Sequence, residues 1–101
     1  MDYNALAALA RPALITAAAR QSTMTYKELG RAIGLDPRVP ASHHLNRVLD
    51  LVSKACIAAG EPSLAVLVVA KDSGEPGSGF VPGTKPWYAE AQQCFRFWRI
   101  R

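Results

Sequence analysis

The sequence is poor in the residues that build stapled, metal-bound or membrane-spanning domains. It has two cysteines, Cys56 and Cys94, each among apolar neighbours. Thiols in such settings are expected to be reduced and buried, and no Cys/His spacing matches a zinc site. The adjacent His43 and His44 point about 100° apart on a helix, so one ion cannot bridge them and no metal is expected. No apolar run approaches the roughly 20 residues of a spanning helix. The Ala-rich start carries Asp2 and no basic leader, which does not fit a signal peptide, so a cytoplasmic location without membrane contact is expected. The Gly-Lys-Ser/Thr of a phosphate-binding loop is missing. No catalytic constellation emerges, and neither enzyme activity nor a cofactor is expected.

What is present suffices for one small core. The chain has 101 residues, half of them hydrophobic, and a net charge of +4. That reads as a single domain, 1–101, whose mild basicity suits an anionic partner. The run Leu64–Ala70, with three valines and two leucines, reads as a fully buried central strand. Helices are expected on one or both of its faces.

The pattern before that run is helical. Pro12 is expected to open a helix over 12–19, with residues 1–11 a separate turn or frayed arm. Thr25-Tyr26-Lys27-Glu28 fits a capping box that opens a helix reaching about Ile33. Gly34 fits its left-handed C-terminal cap, with Leu35 folding back. After a loop with Pro37 and Pro40, the longest helix starts at Ala41 or Ser42 and ends at Gly60. Its apolar face is Leu45, Val48, Leu49, Val52, Ala55, Cys56 and Ala59.

After the central run come a Gly/Pro-rich loop, 72–86, and a short helix over about 85–94. The alternation in Phe95-Arg96-Phe97 predicts a half-buried strand that pairs with Leu64–Ala70. The aromatics Trp87, Tyr88, Phe95, Phe97 and Trp98 are expected in the core. The fold class is therefore α+β, winged-helix-like, with four to five helices on a small two- or three-stranded sheet.

Two short helices joined through Gly34 and Leu35 read as a helix-turn-helix, whose second helix would present Arg38, Ser42, His43, Asn46 and Arg47 to DNA. Lys71 would contact phosphate at the base of a wing. The amides around Gly74, Gly77, Ser78 and Gly79 would form the wing or cradle an anion.

Thr25-Tyr26-Lys27-Glu28-Leu29-Gly30-Arg31-Ala32-Ile33-Gly34, then Leu45-Asn46-Arg47-Val48-Leu49, then Pro62 and the strand, resembles the winged-helix DNA-binding domain of methylated-DNA alkyltransferases and alkyltransferase-like proteins. The likeness covers about 50 residues. Where that family has its nucleophilic cysteine and following histidine, this chain has Ser63 and Leu64. The resemblance implies a fold and argues against alkyl transfer. The chain also resembles small uncharacterised bacterial or phage proteins with a strand followed by Gly-x-Pro-Gly-x-Gly-Phe.

The expected function is a small non-enzymatic DNA-binding protein of winged helix-turn-helix type. The alternative is a protein-binding module, such as a phage or mobile-element inhibitor of a host protein. An enzyme site around Lys71 and Asp72 ranks last.

Overall fold

The structure is a computed structural model that describes residues 2–38, 40, 42–74, 76 and 86–99, with the side chains of Ser42 and His43 excepted. Among these residues four helices surround a short buried segment and a small parallel sheet. Helix α1 is Tyr3–Ala19, α2 Tyr26–Ala32, α3 Ser42–Ala58 and α4 Trp87–Phe97. Strand β1 is Met24–Thr25 and β2 is Val68–Val69.

α1 is continuous through Pro12, against the expectation of a break and a frayed arm. Proline removes the amide that would bond to Ala8 O. Ala8 and Pro12 are both exposed, so water can satisfy that carbonyl. Asp2 caps the helix, its carboxylate accepting from the Ala5 amide at 3.1 Å. Ala10, Leu14, Ala17 and Ala18 form the buried face.

The central run is buried as expected but is a strand only at its end. Leu64–Leu67 forms a 3₁₀ turn, and only Val68 and Val69 are extended. A buried strand needs a neighbouring strand for every amide and carbonyl. Here β1 supplies only two residues, in parallel register Met24 to Val68 and Thr25 to Val69. The rest of the run satisfies itself locally through i to i+3 bonds such as Val66 N to Ser63 O at 3.4 Å. All six residues from Leu64 to Val69 are buried. Leu64 to Val68 join Leu14, Leu29, Leu45, Val48 and Leu49 in one core.

The aromatic tail is not a strand. α4 runs on to Phe97, and the parallel strand partner of β2 among the described residues is β1. Trp87, Ala91, Cys94 and Trp98 recur at helical steps and point into the core, which outweighs the two-residue alternation of Phe95 and Phe97. Trp87, Phe95 and Trp98 pack against the core, whereas Tyr88 and Phe97 are largely exposed, against expectation.

Polar bonds tie α3, the 3₁₀ turn and α4 together. The Ser53 and Ser63 hydroxyls share a hydrogen bond at 2.9 Å, the Ser63 amide donates to Glu90 Oε1 at 3.0 Å, and Cys94 Sγ donates to Ser63 O at 3.3 Å. Both cysteines are free and buried. Burial pushes the Cys94 thiol up to about 12, so it is protonated at neutral pH.

Helices α1, α2 and α3 end in the same two-bond motif. At α2 the Leu35 amide donates to Gly30 O at 2.9 Å and the Gly34 amide to Arg31 O at 3.3 Å. The left-handed residue is Gly34 at α2, Gly60 at α3 and Gln21 at α1, where φ is 56°. Gln21 thus bears a steric strain that the two glycines avoid.

Candidate functional site: a cationic cleft beside the second helix

The parallel sheet brings two distant segments side by side. Thr25 is opposite Val69, so two residues further on α2 has begun with Lys27 while the other chain segment has reached Lys71. Between them and the loop to α3 lies a cleft of about 800 Å³. Tyr26, Lys27, Arg31 and Lys71 line it, together with loop residues Leu35, Pro37 and Pro40.

Each wall is fixed by local chemistry. Thr25 Oγ1 accepts from the Glu28 amide at 3.1 Å, and Glu28 Oε1 accepts from the Thr25 amide at 2.9 Å, closing the expected capping box. Opposite, Asp36 accepts from the Arg38 amide at 2.9 Å and from its guanidinium at 3.2 and 3.0 Å. This braces the loop. On the third wall the Gly74 amide donates to Ala70 O at 2.8 Å, turning the chain after Lys71.

Among the described residues the lining contains two carboxylates and three cations. Both carboxylates are already engaged. The Thr25 amide holds Glu28 below its usual range, and the Arg38 side chain does the same for Asp36. Both therefore stay ionised with their lone pairs partly occupied. Lys27, Arg31 and Lys71 are exposed. Arg31 feels Glu28 one turn away, and neither Lys27 nor Lys71 forms an ion pair among the described residues.

The residues singled out in the sequence divide between two places. Lys71 lines the cleft, and Arg38 sits at its rim through Asp36. Asn46 and Arg47 line a different depression, of about 450 Å³, with Tyr3, Asp50 and Leu51. The Arg47 guanidinium lies 5.6 Å from the centre of the Tyr3 ring. The Tyr3 hydroxyl and His44 Nδ1 are hydrogen-bonded at 3.0 Å, so His44 pins α1 to α3. Among the described residues the two depressions share no lining residue. Gly74 adopts a left-handed φ of 69° at the turn. Gly77, Ser78 and Gly79 lie outside the described residues, as do the side chains of Ser42 and His43.

Lys27 and Arg31 were absent from the candidates read in the sequence. Their spacing of four residues, which sets both on one side of a short helix, was the available signal. It was masked because the capping box marked α2 as scaffold.

Among the described residues no group of three or more His, Cys, Asp or Glu comes together to hold a metal ion. No helix there is long and apolar enough to cross a membrane. Comparison with known proteins gives no match to a family model, a curated protein or a solved structure.

Proposed function

We propose that the chain is a small non-enzymatic DNA-binding protein that meets the phosphate backbone through the cleft beside α2. The carrying observation is the convergence of Lys27, Arg31 and Lys71 on one concavity whose two carboxylates are engaged by the fold itself. The net charge of +4 adds long-range attraction. A wing-like reversal after β2 supports the winged-helix reading: Val69 and Pro76 form an antiparallel bridge, so the chain doubles back beyond Lys71. In this reading α2 and the turn after β2 touch phosphates, and Arg47 contributes from the separate depression on α3.

The test is fluorescence anisotropy with labelled DNA at low salt, followed by a salt titration. Binding with a dissociation constant at or below about 10⁻⁴ M, weakening linearly in log–log form as salt rises, is expected. Absence of binding at 100 µM protein, in that same non-specific range, would refute the proposal.

A second reading is a protein-binding module. Ile57 on α3 is 70% exposed, and Leu9, Tyr88 and Phe97 are also mostly exposed. Binding to a protein would be insensitive to nuclease and would lack the counterion slope.

A further inference from the structure

We infer that Tyr3 is a positioning residue for DNA: from α1 it holds the Arg47 guanidinium in place on α3, with the donors of Arg47 ready for a phosphate. This role rests on the DNA reading above and brings α1 into it. Three observations carry it.

The first is that the donors of Arg47 are unoccupied. Arg47 is exposed, and among the described residues no hydrogen bond or ion pair engages it. Asp50, the carboxylate that lines the same depression, is taken by Lys54 at 3.0 Å.

The second is what holds the side chain instead. The Arg47 guanidinium lies over the Tyr3 ring, 5.6 Å from its centre. A cation over a ring face is attracted by the π-system and surrenders no N–H to an acceptor. Arg11 makes the same contact with Trp98, also at 5.6 Å, but its donors go to Glu61. Arg47 has the ring without the carboxylate.

The third is that the ring is itself fixed. Tyr3 packs against the core, and its hydroxyl is hydrogen-bonded with His44 Nδ1 at 3.0 Å. The two rings are tilted by 42° with centres 5.9 Å apart. His44 and Arg47 are three residues apart and share one side of α3, so a single tyrosine meets both. A long side chain loses rotamer freedom when it binds, and one already held loses less.

The experiment is a double-mutant cycle read by anisotropy with a fluorescein-labelled DNA duplex at low salt, followed by salt titrations. Arg47→Ala is expected to weaken binding about tenfold and to lower the salt slope by about 0.9. Tyr3→Leu is expected to weaken binding about threefold with an unchanged slope, because the charge of Arg47 remains. Tyr3→Phe keeps the ring and should stay within about twofold of wild type. In the Arg47→Ala background, Tyr3→Leu should cause no further loss. Circular dichroism establishes that each variant is folded. Should Tyr3→Leu be unfolded, proton NMR of the wild type carries the test: the Arg47 side-chain protons are expected upfield of those of Arg38, shifted by the Tyr3 ring, both free and with DNA bound. Additive losses in the cycle, a Tyr3→Phe loss as large as that of Tyr3→Leu, or Arg47 protons that lose their ring shift on DNA would overturn the role of Tyr3 and leave the DNA reading standing. Failure of the wild type to bind the duplex would remove that reading and this role with it.

Discussion

Two corners of the molecule use arginine and lysine in opposite ways. At the first, Arg11 on α1 is consumed by the fold. Its Nη2 donates to Glu61 Oε2 at 2.9 Å, and its Nη1 lies 2.8 Å from Oε1, off the line of a hydrogen bond. Nη1 also approaches Cys56 Sγ at 3.8 Å, and the guanidinium sits 5.6 Å from the centre of the Trp98 ring. One side chain thus clamps α1, the end of α3 and α4. Glu61 keeps its charge because Arg11 holds its carboxyl below the ordinary range. At the second corner, Lys27 and Lys71 are presented to solvent around the cleft. Equal charges thus have different roles, and the partner geometry separates them: a cation whose donors are taken is scaffold, and one whose donors face a concavity is available to a ligand.

The sharpest way to break this contrast is Arg11→Ala. The Glu61 side chain is only 14% exposed and would lose its cation, while Trp98 would lose its neighbour. A loss of about 2 kcal/mol is expected in the denaturant-derived stability, with nucleic-acid affinity within twofold of wild type. A large fall in affinity with intact stability would show that the clamp is part of the site.

The clamp side also predicts an alkaline limit. The Cys94 thiol is raised from an ordinary 9.0 to about 12 by burial first, with Glu90 adding to the shift. Between these values the folded chain keeps a proton that the unfolded chain has released. Stability from this group is full below about pH 9 and declines above it by about 1.4 kcal/mol per pH unit. Comparing urea midpoints from pH 8 to 10.5 for wild type and Cys94→Ala isolates this contribution: the variant's slope should be flatter by one proton. Identical slopes would place the thiol in contact with water. Both thiols should resist alkylation until the chain unfolds.

On the cleft side, the backbone beneath the cations is the sensitive part. Thr25→Ala leaves the Glu28 amide without its side-chain acceptor and should cost about 1 kcal/mol. Chemical denaturation measures it, and an unchanged midpoint would mean the cap contributes nothing.

A smaller gain is expected at Gln21. Gln21→Gly relieves a left-handed conformation at the end of α1 and should raise stability by about 0.5 kcal/mol, read as a higher midpoint. The smallest effect completes the contrast. Lys71→Ala should move stability by less than about 0.5 kcal/mol while weakening binding, the reverse of Arg11→Ala.

What the sequence revealed follows the range of the interactions involved. The capping box of Thr25 and Glu28 and the glycine cap at Gly34 depend on neighbours a few residues away, and both were legible. So was the burial of Leu64 to Val69, because an unbroken apolar run has no polar face to expose. Its 3₁₀ turn was not legible, since that depends on whether another strand lies alongside. Pro12 was read as a boundary because proline breaks an isolated helix. Here the carbonyl it orphans faces solvent, and packing of the rest of α1 overrides the local preference. For Phe95 and Phe97 the two-residue alternation concealed the longer helical period set by Trp87, Ala91, Cys94 and Trp98. The cleft escaped detection for a related reason. Lys27 and Lys71 are far apart in the chain and meet only because Thr25 pairs with Val69.

That pairing also has a consequence for the order of folding. Met24 must find Val68 across a long intervening segment, and the entropy of closing such a loop favours contacts nearer in sequence first. The helices can form and begin to collapse before the sheet is registered. The cleft, whose walls are joined by that two-residue ladder, would then be among the last parts of the molecule to assemble. The backbone amides of the ladder would report its completion through slow hydrogen exchange.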